Sequence, residues 1–252
     1  MRSLRLVCVA AALVLAALPA ASVPVGYDMT VSVTGPGNTD LGGTDLETLM
    51  DQFLVGETTN PEAQTEGLYL YAPVSSPNGW TVDSWDSEVK PDPFITNNFV
   101  VTNNTGAAAT FTIAVSSPIP LFNANEIIQS TIQVSVLDND NLGGATLTSA
   151  SQPIYRGQVN GGTELSLLAA PYSLSCIDPF DCTLNGNDAA GVASQAFGPV
   201  GATDIGLIIR FTLSNGDSAS VLSRFEIVPE PTTGLLLGLG LVALGLRRQR
   251  RA

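Results

Sequence analysis

Ala109-Thr110-Phe111-Thr112-Ile113-Ala114-Val115 alternates in single steps: Ala109, Phe111, Ile113 and Val115 are apolar, while Thr110 and Thr112 between them are polar. Successive side chains of a strand point to opposite faces, so this stretch predicts a β-strand with one buried face. The pattern returns where Ile128, Ile132, Val134 and Val136 are interleaved with Gln129, Thr131, Gln133 and Ser135. It returns again in Leu207, Ile209, Phe211 and Leu213, and in Val221, Phe225 and Ile227. A short amphipathic helix is suggested only around residues 45–53. Strands spaced this closely, separated by Gly, Pro, Asn and Asp turns, predict an all-β body over residues 23–228. The expected architecture is one antiparallel β-sandwich, jelly-roll-like in character. Any second unit would begin at the Pro/Asp-rich residues 88–93.

The last two alternating segments allow a register argument. Cross-strand partners share a face. A two-residue loop at Asn215-Gly216 would pair Phe211 with Ser220 and so mix the faces. A three-residue loop, Ser214-Asn215-Gly216, pairs Phe211 with Ala219 and Ile209 with Val221. The expectation is therefore a hairpin with Gly216 left-handed in a bulge.

Charge divides the 252-residue chain unevenly. Six of its ten basic residues, Arg2, Arg5, Arg247, Arg248, Arg250 and Arg251, lie in the two end segments. Between them only Lys90, Arg156, Arg210 and Arg224 offset 23 acidic residues. A body this acidic repels nucleic acid and anionic lipid, which favours cations and neutral glycans as partners. The same charge would also serve simply to keep an exported protein soluble.

The front end, residues 1–22, places Arg2 and Arg5 before an unbroken apolar run over residues 6–18, followed by Pro19, Ala20, Ala21 and Ser22. That order is a secretory signal helix, with cleavage after Ala20 or Ser22, and it implies the Sec translocon and signal peptidase as partners. Residues 229–252 read Pro229-Glu230-Pro231, an apolar stretch to Leu246, then Arg247, Arg248, Gln249, Arg250 and Arg251. The prolines stop the preceding strand and keep the tripeptide extended. The apolar stretch is short for a transmembrane helix, at about 1.5 Å of rise per residue against a hydrocarbon core of about 30 Å. It would span with bilayer thinning or snorkelling. The arginine cluster is a cytoplasmic stop-transfer signal that leaves the body outside.

This three-part ending resembles the PEP-CTERM sorting signal of exopolysaccharide-producing Gram-negative bacteria. The resemblance rests on Pro229, Glu230 and Pro231, the Leu/Gly-rich helix and the terminal arginines, in that order, and it covers only the C-terminal segment. It implies an exosortase-type membrane transpeptidase as partner. The body would be anchored transiently in the inner membrane and then released to the cell surface or extracellular matrix.

Candidate chemistry in the body is sparse. The chain has no histidine, so Ser-His-Asp and Cys-His catalysis and histidine-ligated metal sites are excluded. No catalytic residues are assigned and no cofactor is required. Cys176 and Cys182 bracket five residues and suit a local disulfide in an oxidising compartment. Asp138-Asn139-Asp140-Asn141, running into Leu142-Gly143-Gly144, sets alternating side-chain oxygens on a tight loop. Calcium favours such an arrangement, and Asp138 and Asp140 are its candidate ligands; the same residues also form side-chain turns without an ion. Asp178 and Asp181 make a second, looser acidic pair. Asp83, Asp86 and Glu88 stand near Trp80 and Trp85, a combination of carboxylates and sugar-stacking aromatics that a glycan-active enzyme could use, although tryptophans in β-proteins also serve as core. Asn103-Asn104-Thr105 fits a glycosylation acceptor tripeptide.

Together these features read as a non-enzymatic, exported structural or adhesive protein of the surface or exopolysaccharide matrix. The alternatives are a glycan- or calcium-binding module, and then a carboxylate-based glycan-active enzyme.

Overall fold

The computed structural model describes residues 28–45, 67–71, 73–90, 94–118, 127–140, 143–176, 183–191 and 203–228. The signal segment, the sorting segment and all but the first residue of the suggested helix over 45–53 lie outside them. The strands in chain order are β1 (Asp28–Thr34), β2 (Asp40–Asp45), β3 (Gly67–Tyr71), β4 (Val74–Ser75), β5 (Trp80–Lys90), β6 (Phe94–Asn103), β7 (Ala109–Pro118) and β8 (Ile127–Leu137). They continue with β9 (Thr146–Ser149), β10 (Tyr155–Val159), β11 (Gly162–Leu167), β12 (Tyr172–Ser175), β13 (Thr183–Gly191), β14 (Asp204–Leu213) and β15 (Ser218–Val228). Among the described residues no helix is long and apolar enough to cross a membrane.

Every described pairing is antiparallel, and the strands form two sheets. The first runs β11-β10-β14-β7-β1-β2, with β9 bridging β14 and β12. The second runs β13-β8-β15-β6-β5-β3, with β4 on β5. The alternation read from sequence decides which side of each sheet is dry. Ala109, Phe111, Ile113 and Val115 of β7 are buried, as are Leu207, Ile209, Phe211 and Leu213 of β14. These two rows face each other in register, Phe111 opposite Phe211 and Ile113 opposite Ile209, with the two phenyl rings stacked 5.8 Å apart. Each Val, Leu, Ile or Phe of these rows taken out of water contributes about 1.5–3 kcal/mol.

The inner faces of the two sheets meet over one buried cluster. Tyr155 of the first sheet is wholly buried. Its hydroxyl reaches the second sheet, lying 3.2 Å from Ser130 Oγ and donating to the Arg224 carbonyl at 3.3 Å. Gly157, two residues along the same face, lies so close beneath Phe225 that a Cβ there would stand 2.9 Å from the ring. The fold is thus all-β in two facing antiparallel layers.

The expected hairpin between the last two strands does not form. β14 and β15 belong to different sheets: Phe211 pairs with Phe111 rather than Ala219, and Val221 pairs with Phe99 and Val134 rather than Ile209. Residues 214–217 form an arch that carries the chain across the core. Gly216 is left-handed as expected, at φ 85°, but it turns the arch rather than a bulged hairpin. Alternation identifies the inner face of a strand and is silent about which neighbour lies beside it. The same inward row satisfies a partner in the same sheet or a position in the facing one.

The Pro/Asp-rich stretch at 88–93 also joins neighbours. Lys90 at the end of β5 pairs with Phe94 at the start of β6, so the chain doubles back there within one sheet.

Candidate metal centre

Three chain crossings lie side by side at one end of the layers. The middle one is the 214–217 arch, from β14 to β15. On one side is the connection 104–108, from β6 to β7; on the other is the connection from β8 to β9, which begins at Asp138. The order follows from the pairings, because β15 runs between β6 and β8 in one sheet while β14 runs between β7 and β9 in the other.

Hydrogen bonds close the first side. The Asn103 amide donates to the Asp217 carbonyl at 2.9 Å, and the Gly216 amide donates to the Asn103 carbonyl at 2.6 Å. Asn103 Nδ2 donates to the carbonyls of Leu213 and Ala107, each at 2.9 Å, while Asn103 Oδ1 accepts the Thr105 amide at 3.1 Å. The Gly106 amide donates to Asn215 Oδ1 at 2.6 Å. Asn103 is completely buried, so the tripeptide Asn103-Asn104-Thr105 offers no free amide to a glycan.

On the other side the contacts are carboxylates. Continuing the β8–β15 ladder one step past its last pair, Leu137 with Ser218, sets Asp138 opposite Asp217. Asp140 reaches the same place and packs against the arch glycine: a Cβ on Gly216 would collide with its carboxylate. Asn139, between the two, donates through Nδ2 to Ser218 Oγ. The Asp138, Asp140 and Asp217 carboxylates offer oxygens within 4.8 Å of one another. Asp138 and Asp217 are buried, at 3% and 1% exposure, and Asp140 is exposed.

Like charges set opposite each other on neighbouring strands oppose folding. Burial raises the Asp217 carboxyl above the usual carboxylate range, the Ser214 hydroxyl bond lowers it, Asp138 and Asp140 raise it again, and the Asn139 backbone amide lowers it. Asp217 Oδ2 accepts the Ser214 hydroxyl, which itself accepts the Thr146 amide at 2.7 Å. Asp217 Oδ1 is buried without a hydrogen-bond partner. A set of carboxylate oxygens of this kind suits a hard divalent cation. The sequence pointed to Asp138 and Asp140; Asp217 escaped it because Asn215-Gly216-Asp217 reads as ordinary turn chemistry.

The other sequence candidates do not assemble into a site. Trp80 and Trp85 are both buried, at 2% exposure. Trp80 Nε1 donates to the Leu41 carbonyl at 3.0 Å, and the Trp85 ring lies 5.2 Å from that of Phe99. Neither offers a face to a sugar. Burial raises the Asp86 carboxyl, an effect partly offset by the Asn98 amide, which donates to Asp86 Oδ1 at 2.8 Å. Asp83 accepts the hydroxyl of Thr81 at 2.7 Å. Cys176 is buried. Cys182, Asp178, Asp181, Pro229, Glu230, Pro231 and the terminal arginines lie outside the described residues.

From the last residue of β15 onward, residues 228–251 match the family model of the PEP-CTERM protein-sorting motif. The chain carries a PEP-CTERM sorting signal. The motif implies an exported protein whose membrane-anchored sorting signal is processed by an exosortase-type enzyme. No curated protein matches the chain in sequence.

Solved structures that match include the enzymatically active domain of tailspike protein 4 from bacteriophage CBA120, at 15% identity and TM-score 0.25, covering 65% of this chain and 19% of that one. The chain thus spans about a fifth of the tailspike's length. Others are the C-terminal CBM6 of the laminarinase LamC from Zobellia galactanivorans, at 13% identity, TM-score 0.20 and coverage of 57% and 90%, and the Stig cyclase Fisc from Fischerella sp. TAU, at 11%, 0.25 and coverage of 62% and 92%. At TM-scores this low the likenesses decide neither fold nor activity.

Proposed function

We propose that the chain is a non-enzymatic structural or adhesive protein of the cell surface or extracellular matrix, with exopolysaccharide as its partner. The PEP-CTERM motif at residues 228–251 carries this reading. It follows β15 directly, so export would deliver the whole β-body to the outside. The acidic body and the absence of histidine from the sequence support it, since the commonest hydrolytic machinery has no residue to run on. Trp80 and Trp85 are used as core rather than as a sugar platform, which favours a broad polar surface over a cleft. Export uses the signal segment at residues 1–22, the Sec translocon and signal peptidase. In the oxidising compartment beyond, Cys182 closes the loop to Cys176.

The test is co-sedimentation of the exported protein with the producing organism's own exopolysaccharide. Saturable binding supports the matrix role; absence of binding sinks the polysaccharide partner. Intact mass of the cell-derived protein checks the sorting step. Loss of the apolar and arginine-rich segment is expected, and its retention in the mature surface form contradicts release by exosortase.

A further inference from the structure

The described residues hold one group of carboxylates that hydrogen bonding alone does not account for. Asp138, Asp140 and Asp217 come from two connections far apart in sequence and converge to within 4.8 Å. Asp217 is almost wholly buried, yet its Oδ1 meets no hydrogen-bond partner. A buried carboxylate oxygen without a partner has given up its water for nothing unless a cation takes the water's place. The neighbouring charges acting on it, Asp138 and Asp140, have the same sign as its own.

We propose that Asp138, Asp140 and Asp217 hold a calcium ion that fastens the connection after β8 to the arch before β15. Oxygens bound to one calcium at about 2.3–2.6 Å lie no more than about 5 Å apart, and the three carboxylates meet that limit. An all-oxygen set of three acidic groups selects a hard cation over zinc or copper, and the exposed Asp140 leaves room for water to complete the shell. The ion does on one flank of the arch what Asn103 does on the other, so the crossing is held from both sides. Gly216 is required for the same reason: any side chain there would displace the Asp140 carboxylate. The affinity expected of such an extracellular site is in the range of roughly 10⁻⁴–10⁻³ M. The inference draws on export, which the sorting motif implies, and not on the polysaccharide role.

The experiment is calcium binding by calorimetry and thermal melting of the exported protein after exhaustive chelation, on the wild type and on Asp140→Asn and Asp217→Asn. The wild type is expected to melt higher with rising calcium, saturably, and to respond less to magnesium. Each substitution is expected to weaken calcium binding at the site by at least about tenfold. Because each removes one of three like charges, the chelated variants should melt no lower than the chelated wild type. A wild type whose melting is unmoved by about 10 mM calcium overturns the proposal. So do variants that melt lower without calcium but keep the full calcium response, since that marks the carboxylates as structural only. Should Asp217→Asn fail to fold, Asp140→Asn at the exposed position decides the matter alone. Polysaccharide binding that survives chelation leaves this proposal standing, and a calcium response without polysaccharide binding leaves it standing as well.

Discussion

The side-chain amide of Asn103 donates to the main-chain carbonyl of Leu213 at 2.9 Å, tying the end of β6 in one sheet to the end of β14 in the other. The same Nδ2 reaches Ala107 O, and the Asn103 main chain bonds Asp217 and Gly216. Asn103→Ala takes the side-chain donor from the buried Leu213 carbonyl, while Ala107 O keeps the Thr105 hydroxyl, and should cost about 2–4 kcal/mol in urea unfolding. Asn103→Asp should cost no less, because a carboxylate cannot donate. Replacing the exposed Asn104 by Ala is the control, expected within about 0.5 kcal/mol of wild type.

Gly157→Ala tests how tightly the layers meet. Its new methyl would stand 2.9 Å from two ring carbons of Phe225, in the facing sheet, and overpacking of that kind costs about 1–3 kcal/mol. Phe225→Leu in the same chain should recover part of the loss, giving a coupling energy of about 0.5 kcal/mol or more in a double-mutant cycle. Strictly additive effects would mean that the two residues do not touch.

Tyr155 makes stability depend on alkaline pH. Burial pushes its phenol above the ordinary value of 10.0, with the Ser130 hydroxyl bond acting the other way. The folded chain therefore keeps a proton that the unfolded chain releases from about pH 10 upward. That contribution is present below about pH 10 and is lost as the pH rises above it. Tyr155→Phe should flatten the alkaline fall in stability between about pH 9 and pH 11 while costing about 1–2 kcal/mol at neutral pH. An unchanged alkaline slope in the variant would assign the dependence to other groups.

Trp80 and Trp85 report on the core rather than on a ligand. Their burial predicts blue-shifted emission that a soluble quencher reaches only after unfolding, and that saturating polysaccharide leaves in place. Trp85→Ala should destabilise by about 3–5 kcal/mol. A spectral shift on adding polysaccharide would place at least one indole at the binding surface.

What could be read beforehand followed from periodicity. The inward rows of β7, β8, β14 and β15 are visible because a strand repeats every two residues, and all four rows are buried. Pairing was not visible. Leu207, Ile209 and Phe211 would sit equally well beside Val221 or beside Val115, Ile113 and Phe111, and Asn215-Gly216 is as good a turn for an arch as for a hairpin. Asp138 and Asp140 declared themselves through spacing on one loop. Asp217 could not, because its neighbourhood with them is made by the β8–β15 ladder, and that ladder joins segments that only the fold brings together. Buried polar residues such as Asn103 and Ser130 interrupt the apolar rows and look like surface until their partners are known.

β15 lies in the middle of its sheet, paired with β8 from Ser218 to Val228 and with β6 from Ser218 to Glu226, and Val228 is also where the matched sorting motif begins. While that motif is anchored in a membrane, any tug on the body enters through the last residue of this strand. An edge strand pulled from its end peels away one hydrogen bond at a time. A central strand pulled lengthwise is loaded in shear, so the bonds on both its flanks share the tension and must fail together. The sorting motif therefore continues from a strand held on both flanks, so freeing that strand from the body would break two ladders rather than one.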